Sequence, residues 1–164
     1  MVEIVEAAAA RRFVLRGDAA VAAKAGEVLG VGLPLAPHGV AEAGGRAALW
    51  LGPDEWLLLA VDGDLVDFAV GMAGLPHSLV EVSDGYVALV LRGPGAARIL
   101  SAGCPLDLHL SAFPPGMATR TVLGRIGVTL WRRGAEEWRV ELGRSLLGYA
   151  RAFLTEASRG QPNG

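Results

Sequence analysis

Three side chains that could perform chemistry occur within one short stretch of the chain, namely Cys104, Asp107 and His109. A thiolate beside an imidazole, with a carboxylate that orients the imidazole, is the arrangement of a cysteine nucleophile. Sequence neighbours rarely supply it. In an extended segment Asp107 and His109 share one side, and Cys104 lies three residues earlier, across Pro105. We therefore predict a structural cysteine and no catalytic residue here, with Asp107 bound to backbone N–H groups of a turn.

The other residue types that bind metals or phosphates are also poorly placed. The three histidines, His38, His77 and His109, form no i, i+4 pair, and no carboxylate cluster completes a metal site. A single cysteine excludes an intramolecular disulfide and a cysteine-based zinc site. The turn Arg92–Arg98 follows a predicted strand, but Pro94 removes one of the N–H donors that an anion would use. No metal and no cofactor is predicted to bind this chain.

The composition limits the class of partner. The chain has 164 residues and a formal net charge of −2, with both signs mixed along it. Nucleic acid and anionic membrane surfaces are therefore excluded as main partners. No apolar run reaches the roughly 18–20 residues of a spanning helix, and MVEIVEAAAARR has no basic leading region, so we expect a cytoplasmic protein without membrane contact. Because 52% of the residues are hydrophobic and only 20% are charged, we expect a face buried against partner subunits.

The hydrophobic pattern predicts short strands alternating with helices. Strands are predicted where apolar residues alternate or run together between turn residues, at 11–17, 46–52, 55–61, 77–83, 86–93, 120–134 and 136–142. Amphipathic helices are predicted from the spacing of apolar residues, at 19–30, 64–74, 94–103 and 144–157. The tetrapeptide GPDE predicts a hairpin turn, and two glycines within 120–134 indicate a bulge or bend in that strand.

The two halves of the chain resemble each other. FVLRGDAA (Phe13–Ala20) aligns with LVLRGPGA (Leu89–Ala96), and LWLGPDEW (Leu49–Trp56) aligns with LWRRGAEEW (Leu130–Trp138) if one inserted residue is allowed. An amphipathic helix follows each aligned pair, so the order β-α-β-β-α occurs twice. We predict an α+β fold in which two such halves, each a split β-α-β unit with helices on one face of its sheet, pack together.

A shorter repeat bears on the cysteine. GLPLAPH (Gly32–His38) and GCPLDLH (Gly103–His109) both read G-x-P-L-x-x-H. Cys104 then corresponds to Leu33, and the aspartate corresponds to an alanine. A cysteine that is replaced by leucine in the sister half is predicted to be a small core residue.

The repeat also sets the predicted domain organisation. One domain is expected over 1–157, with its halves at about 11–82 and 83–157. The polar segment 158–164, which contains glycine and proline, is predicted to be a disordered tail.

Aromatic and basic residues near the two equivalent turns are the candidates for contact with a partner. The repeat predicts two equivalent pairs of tryptophans, which are Trp50 with Trp131 and Trp56 with Trp138. The second pair begins apolar strand faces and is assigned to the core. The first pair could contact the core, a partner or a pterin ring, and the neighbouring arginines could form a solvated tip or anchor an interface. The interface candidates are Trp50, Trp131, Arg132 and Arg133.

Four segments carry a resemblance to a known family: LGPDEWLLL, VEVSDGYVALVLRGPGA, CPLDLHLSAFPPGMATRT and EEWRVELGRSLLGYARAFL. Together they resemble the gamma subunit of heterotetrameric sarcosine oxidase, from about Leu49 to Ala157, and the third segment is the most specific. The first 45 residues match only in general pattern. That family is similar in fold to the folate-binding domain of the aminomethyltransferases. The segment LVLRGPGA of this chain also resembles the strand-G-P-helix turn of those enzymes.

The resemblance implies a role within a complex. It implies alpha, beta and delta partner subunits and an enzyme that oxidatively demethylates sarcosine to glycine, makes hydrogen peroxide and passes the one-carbon unit to tetrahydrofolate. FAD, FMN, NAD and tetrahydrofolate are then expected on the other subunits, with no cofactor on this chain. The chain itself is expected to be non-catalytic and to serve in structure and assembly.

Two alternatives stay open. A folate-binding, one-carbon transferase-like protein would need an aromatic wall and a carboxylate to hold the pterin, and the candidate carboxylates are Glu81, Asp84 and Asp107. The chain is far shorter than an aminomethyltransferase and lacks a recognisable folate-site carboxylate. The other alternative is the equivalent subunit of a related dehydrogenase of N-methyl amino acids, such as N-methylglutamate.

Overall fold

The computed structural model of the chain describes residues 1–61 and 68–160. In chain order the strands of this part are β1 Glu3–Glu6, β2 Arg11–Arg16, β3 Val40–Ala43, β4 Arg46–Gly52, β5 Glu55–Ala60, β6 Ser78–Glu81, β7 Tyr86–Arg92, β8 Met117–Leu123, β9 Ile126–Gly134 and β10 Glu137–Gly143. The helices are α1 Ala19–Leu29, α2 Phe68–Gly71, α3 Ala96–Ser101 and α4 Leu147–Arg159. Short 3₁₀ turns lie at Ser83–Gly85 and Arg144–Leu146.

Contacts divide the chain into two compact units. The first unit is Ala8–Ser83, and the second combines Met1–Ala7 with the chain from Asp84 onward. Each unit contains a five-stranded sheet whose neighbouring strands are all antiparallel. The strand order is β3-β4-β5-β2-β6 in the first unit and β1-β7-β10-β9-β8 in the second. The chain is thus a mixed α/β protein with two antiparallel sheets.

Helix α1 packs on one face of the first sheet. It begins after Asp18, whose side chain accepts a 3.0 Å hydrogen bond from the N–H of Val21 and so caps the helix. It ends at Gly30, where φ is +76°, a left-handed conformation that glycine adopts without steric cost. Its apolar face joins the inward residues of the sheet in one cluster. The larger members of that cluster are Phe13, Leu15, Val21, Leu29, Trp56, Leu58, Phe68 and Met72.

Helices α3 and α4 pack on one face of the second sheet in the same way. The buried cluster that they form with the sheet also takes in residues between α3 and β8. Its larger members are Leu89, Leu91, Ile99, Leu100, Phe113, Leu130, Trp138, Val140 and Leu154. The end of α3 lies so close to α4 that a Cβ atom on Gly103 would be 2.5 Å from Cζ of Phe153. The glycine is therefore needed for close packing at this point.

The two sheets repeat the same arrangement strand by strand. Leu15 on β2 lies between Trp56 on β5 and Leu79 on β6. The same relation holds in the second sheet, where Leu91 lies between Trp138 and Ile4. The position that β6 occupies at the edge of the first sheet is thus filled in the second sheet by β1, from the start of the chain. The internal repeat predicted from sequence corresponds to a repeated sheet topology.

The strand count of each half differs from the prediction. In the described residues, each half contains the order β-α-β-β-β-α, one strand more than the predicted β-α-β-β-α, and in the first half β6 follows this series. In the first half, the extra strand is Val40–Ala43, which lies outside every predicted strand. In the second half, the predicted single strand 120–134 is a hairpin, because Gly124 at φ +62° and Arg125 form a two-residue turn between Leu123 and Ile126. The predicted GPDE hairpin is present, between β4 and β5.

The predicted equivalence of Trp50 and Trp131 is wrong. Trp50 lies opposite Trp56 across the hairpin, whereas the residue opposite Trp138 is Arg132. The ladder shifts by one residue just beyond each of these pairs, so the two hairpins carry the same irregularity. The one extra residue that the alignment of LWLGPDEW with LWRRGAEEW allows therefore lies before Trp131 in the second half. Arg132, and not Trp131, is the counterpart of Trp50. Trp131 faces the other side of the sheet.

The predicted ends of two helices also differ from the structure. Helix α4 continues through Ser158 and Arg159, which the sequence pattern assigns to a disordered tail, and residues 161–164 lie outside the described part. The predicted helix at 64–74 is described only from Phe68, where α2 runs to Gly71, and its first four residues lie outside the described part.

Candidate functional site

The reactive-looking residues lie in the connection between α3 and β8, residues 102–116, which we call the 102–116 connection. Most of its residues are exposed, and three side chains are buried: Cys104, Leu108 and Phe113. Cys104 is only 7% exposed, and its Sγ lies 3.7 Å from Oγ1 of Thr121 on β8. The thiol therefore contacts a hydroxyl and the apolar core, which is the environment of an unreactive cysteine.

The aspartate and the histidine bind to their own neighbours and not to the cysteine. Oδ1 of Asp107 accepts a 2.9 Å hydrogen bond from the N–H of His109, which forms the predicted turn. Nδ1 of His109 accepts a 3.2 Å hydrogen bond from the N–H of Ser111 and lies 2.7 Å from the Ser111 hydroxyl. Both contacts stay within residues 107–111. A Cys–His dyad is not present.

Arg132 on β9 binds the 102–116 connection through hydrogen bonds to its backbone carbonyls. It is 5% exposed, and its Nη1 donates to the carbonyl oxygens of Leu108, at 3.1 Å, and Phe113, at 2.8 Å. Its Nε donates to the carbonyl of Gly134 at 3.2 Å, and its Nη2 donates to the carbonyl of Ala135. Burial lowers the pKa of the guanidinium from its ordinary value. The group remains a cation at neutral pH, because arginine starts from so high a pKa.

The Arg132 guanidinium also lies on an aromatic pair. Its central carbon is 4.6 Å from the centre of the Trp138 ring, and the Phe113 ring centre is 5.1 Å from that of Trp138. Arg132 thus joins the β9–β10 turn, the core tryptophan and the connection in one contact network. A buried arginine of this kind is bound in place by carbonyl oxygens and an aromatic face.

The counterpart segment of the first unit, residues 30–39, is held differently. Nε1 of Trp56 donates a 2.7 Å hydrogen bond to the carbonyl of Pro34. His38 has a left-handed φ of +63°, and its ring centre lies 5.6 Å from that of Trp50. Among the described residues, neither Nδ1 of His38 nor Nε1 of Trp50 has a hydrogen-bond partner. The segment with the shared G-x-P-L-x-x-H motif is therefore contacted by Trp50 and Trp56 in the first unit. In the second unit it is bound by Arg132, which packs on Trp138.

The four interface candidates differ in exposure. Trp131 and Arg132 are buried, Trp50 is half-buried and packs against the core of the first unit, and Arg133 is exposed. Arg133 lies 5.1 Å over the Trp131 ring and donates a 3.0 Å hydrogen bond to Glu137. The prediction of a solvated arginine tip is therefore wrong for Arg132. Contact of any of the four with a partner stays a prediction.

The three carboxylates that a pterin could use are either hydrogen-bonded to other groups of the chain or exposed in a turn. Glu81 accepts hydrogen bonds from Nε and Nη2 of Arg11, at 2.9 and 3.1 Å, and from the Ser83 hydroxyl at 2.9 Å. These hydrogen bonds lower the pKa of Glu81, Arg11 having the largest effect. Asp84 is exposed in a 3₁₀ turn, and Asp107 closes its own turn. Glu81 and Asp107 are thus already hydrogen-bonded to other groups of the chain.

A groove of about 490 Å³ lies beside α1, and it too lacks the features of a pterin site. Its described lining consists of small and aliphatic residues of α1 and the following segment, with no aromatic side chain, and its one carboxylate is Glu27. Glu27 forms a 3.2 Å ion pair with Lys24. In residues 1–61 and 68–160, no group of three His, Cys, Asp or Glu side chains could hold a metal ion. No helix in the same residues has the length and apolar character to cross a membrane.

Sequence reasoning missed Arg132 and Phe113 as the residues that shape this region. A signal for the arginine is present, because Ile126, Val128 and Leu130 alternate along β9 and Arg132 continues their face. A cation on an apolar face needs buried partners. Two of its partners are the carbonyls of Gly134 and Ala135 in the adjacent turn, but the other two are carbonyls about twenty residues away, which no local pattern specifies.

The fold places the chain in a known structural class. It is similar to the glycine cleavage system aminomethyltransferase T of Bartonella henselae, with a TM-score of 0.68 and 16% sequence identity. The likeness covers 98% of this chain and 46% of that one, and at this identity it shows a shared fold alone.

Comparison with more similar proteins shows the family to which the chain belongs. The model of the sarcosine oxidase gamma subunit family matches residues 16–160, so the chain belongs to that family. The match begins well before Leu49, where the resemblance seen in the sequence begins. The chain is 43% identical over 127 residues to sarcosine oxidase subunit gamma of Corynebacterium sp. strain U-96, which covers 76% of this chain and 60% of that protein. It therefore spans about three fifths of that relative's length.

A solved relative has nearly the same fold throughout. A chain of the heterotetrameric sarcosine oxidase from Corynebacterium sp. U-96, in complex with pyrrole 2-carboxylate, superposes with a TM-score of 0.91 at 35% identity. The superposition covers 96% of this chain and 84% of that one.

Proposed function

We propose that this chain is the non-catalytic gamma subunit of a heterotetrameric flavoenzyme that oxidatively demethylates sarcosine. The enzyme converts sarcosine to glycine, forms hydrogen peroxide and transfers the one-carbon unit to tetrahydrofolate. The role of this chain is structural: it packs against its partners and supports their assembly. Membership of the gamma subunit family and the heterotetrameric assembly of the solved relative support this proposal.

The observation that carries the non-catalytic role is the state of the candidate reactive side chains. Cys104 is buried against Thr121, His109 and Asp107 bind within their own turn, and Glu81 is paired with Arg11. These contacts lie in the core, within one turn or in a surface ion pair, and the Ser111 hydroxyl beside Nδ1 of His109 belongs to that same turn. A subunit that carries no chemistry of its own fits this pattern.

The partners are proposed to be the alpha, beta and delta subunits of a cytoplasmic complex. FAD, FMN, NAD and tetrahydrofolate are assigned to those subunits. The low share of charged residues, 20% of the chain, supports a surface that is partly covered in the complex.

The test is reconstitution with and without this chain. The alpha, beta and delta subunits are co-expressed alone and with it, and the purified products are compared by native mass spectrometry and by hydrogen peroxide production from sarcosine. We expect an incomplete or unstable enzyme when this chain is absent. A complete, stable and fully active enzyme without it would show that the proposal is wrong.

A folate-binding role for this chain is supported by fold likeness alone. The described groove has no aromatic wall, and Glu81 and Asp107 already accept hydrogen bonds from other groups of the chain. Titration of the chain with tetrahydrofolate separates the two roles. We expect no saturable change in tryptophan fluorescence and no calorimetric heat at micromolar ligand, whereas saturable binding would favour the folate role.

A further inference from the structure

The 102–116 connection is longer than the fold requires. It has 15 residues, whereas its counterpart in the first unit, 30–39, has 10. Both contain G-x-P-L-x-x-H, and the added length follows the histidine: residues 110–116 stand where the first unit has Gly39 alone. In the first unit, a much shorter connection thus links the helix to the next strand of the same sheet topology. Loops longer than about 12–15 residues without regular structure are uncommon, and ordered ones are often functional.

Hydrogen bonds and ring packing anchor the connection at Leu108, His109 and Phe113. The Phe113 ring packs on Trp138, and the carbonyl oxygens of Leu108 and Phe113 both accept hydrogen bonds from Arg132. The carbonyl of His109 accepts hydrogen bonds from the N–H groups of Ala112, at 3.0 Å, and Phe113, at 2.9 Å. A surface that is ordered before binding loses less conformational entropy when a partner docks.

The outer surface of the connection is apolar and carries little charge. Leu106 is 37% exposed and Leu110 is 48% exposed, and the same connection contains further exposed apolar residues: Pro105, Ala112, Pro114 and Pro115. The ionisable side chains on this surface are Asp107 and His109, and both form hydrogen bonds within the connection. A grouped, exposed apolar surface on a rigid support is typical of an interaction site.

We propose that this surface, centred on Leu106 and Leu110, docks onto an apolar, uncharged surface of another subunit of the oxidase. The inference rests on the proposed function, and it identifies the part of the chain that makes the contact. The lack of charge selects the partner's chemistry, because a charge facing this surface would be buried without a counter-ion. A different subunit, and not a second copy of this chain, is the occupant because the solved relative is part of a heterotetramer.

The experiment uses a matched pair of variants in the co-expressed complex. Leu106→Asp with Leu110→Asp places two carboxylates on the proposed surface. Leu35→Asp is the control, because Leu35 holds the same position of the motif in the first unit and is 63% exposed. We expect the double variant to bind the other subunits at least about tenfold more weakly, as judged by titration and native mass spectrometry, and the control to bind like wild type.

Folding is checked on the same proteins. Both leucines are exposed, so the circular dichroism spectrum and urea midpoint of the full chain are expected to be unchanged. If the double variant fails to fold, Ala112→Lys provides a smaller change on the same surface. A benzophenone amino acid at position 110 provides a second measurement, and we expect it to cross-link to another subunit, whereas the same group at position 35 does not.

Four results would overturn the inference. The first is a double variant that joins the complex as tightly as wild type does. The second is a Leu35→Asp variant that weakens assembly as much as the double variant, and the third is a cross-link that joins two copies of this chain. The fourth is failure of the wild-type chain to join the complex, which would overturn the proposed function itself and is thereby distinguished from the other three.

Discussion

The guanidinium of Arg132 lies on the indole of Trp138, with 4.6 Å between its central carbon and the ring centre. From this position it donates hydrogen bonds to four backbone carbonyls in two separate loops. In the first unit Trp50 occupies the same cross-strand position, opposite Trp56. One position in the repeated hairpin thus supports the neighbouring connection in both units, by different chemistry.

Replacement of Arg132 is predicted to be strongly destabilising. Arg132→Ala removes the donors of four carbonyls and opens space above Trp138, so the free energy of unfolding should fall by about 3 kcal/mol. Arg132→Lys should recover only part of this, because an ammonium cannot reproduce the planar fork of donors. Arg133→Ala is the control and should cost less than about 1 kcal/mol, since that side chain is exposed. Urea denaturation measures all three, and an Arg132→Ala loss no larger than the control's would contradict the role of Arg132.

Cys104 is predicted to contribute stability and no chemistry. Cys104→Ala removes a buried sulfur that contacts the core and Thr121, so we expect a loss of about 1–2 kcal/mol in the free energy of unfolding. The turnover number of the correctly assembled complex should equal that of wild type. Steady-state hydrogen peroxide production, normalised to intact complex by native mass spectrometry, checks this. Loss of turnover in intact complex would assign the thiol a chemical role.

Gly103 is predicted to be required for packing, and Gly32 is not. A Cβ on Gly103 would lie 2.5 Å from Phe153 and 2.7 Å from the backbone nitrogen of Gly124. Gly103→Ala should therefore cost about 2–3 kcal/mol, the range of an overpacked core. Gly32 holds the same motif position in the first unit, and a Cβ there would have no neighbouring atom within 4 Å. Gly32→Ala should change the unfolding free energy by less than about 0.5 kcal/mol in a urea titration, and equal losses at the two sites would contradict the steric account.

The Arg11–Glu81 pair is predicted to make a small, pH-dependent contribution. The pKa of Glu81 is lower in the folded chain than its ordinary value, chiefly through the hydrogen bonds from Arg11, so ionised Glu81 favours folding. The stabilisation is fully present above the unfolded-state pKa and is lost as the pH falls through the folded-state pKa. Because the pair is partly exposed, Glu81→Gln should cost less than about 1 kcal/mol at pH 7 and nothing near the acid limit. Urea denaturation at both pH values measures the difference, and a penalty that grows at low pH would reverse the sign of this linkage.

Local patterns predict the elements with strong signals and miss those that depend on a partner. The GPDE turn and the cap at Asp18 are short-range features, and both are present. The hairpin at Gly124 escapes prediction because apolar alternation continues on both sides of the two-residue turn, so 120–134 resembles one strand. The strand Val40–Ala43 escapes it because four residues carry too little pattern without their neighbour β4.

The candidate site follows the same rule. The prediction of an unreactive cysteine rests on the comparison of Cys104 with Leu33, and its burial agrees with that comparison. The register of Trp131 cannot be read from the alignment, because the sequence does not show on which side of the tryptophan the extra residue lies. The burial of Arg132 depends on carbonyls of the 102–116 connection, which become its neighbours only after folding.

Strand β1 pairs with β7 although about eighty residues separate them in the chain. During synthesis the first unit, Ala8–Ser83, leaves the ribosome as a continuous segment and can fold at once. Glu3–Glu6 emerges before that unit, yet its binding site on β7 is made only after the unit is complete. The nascent chain must therefore carry this strand without its β7 partner while Ala8–Ser83 is being made, and a bulky group inserted next to the strand would compete with closure of the second sheet.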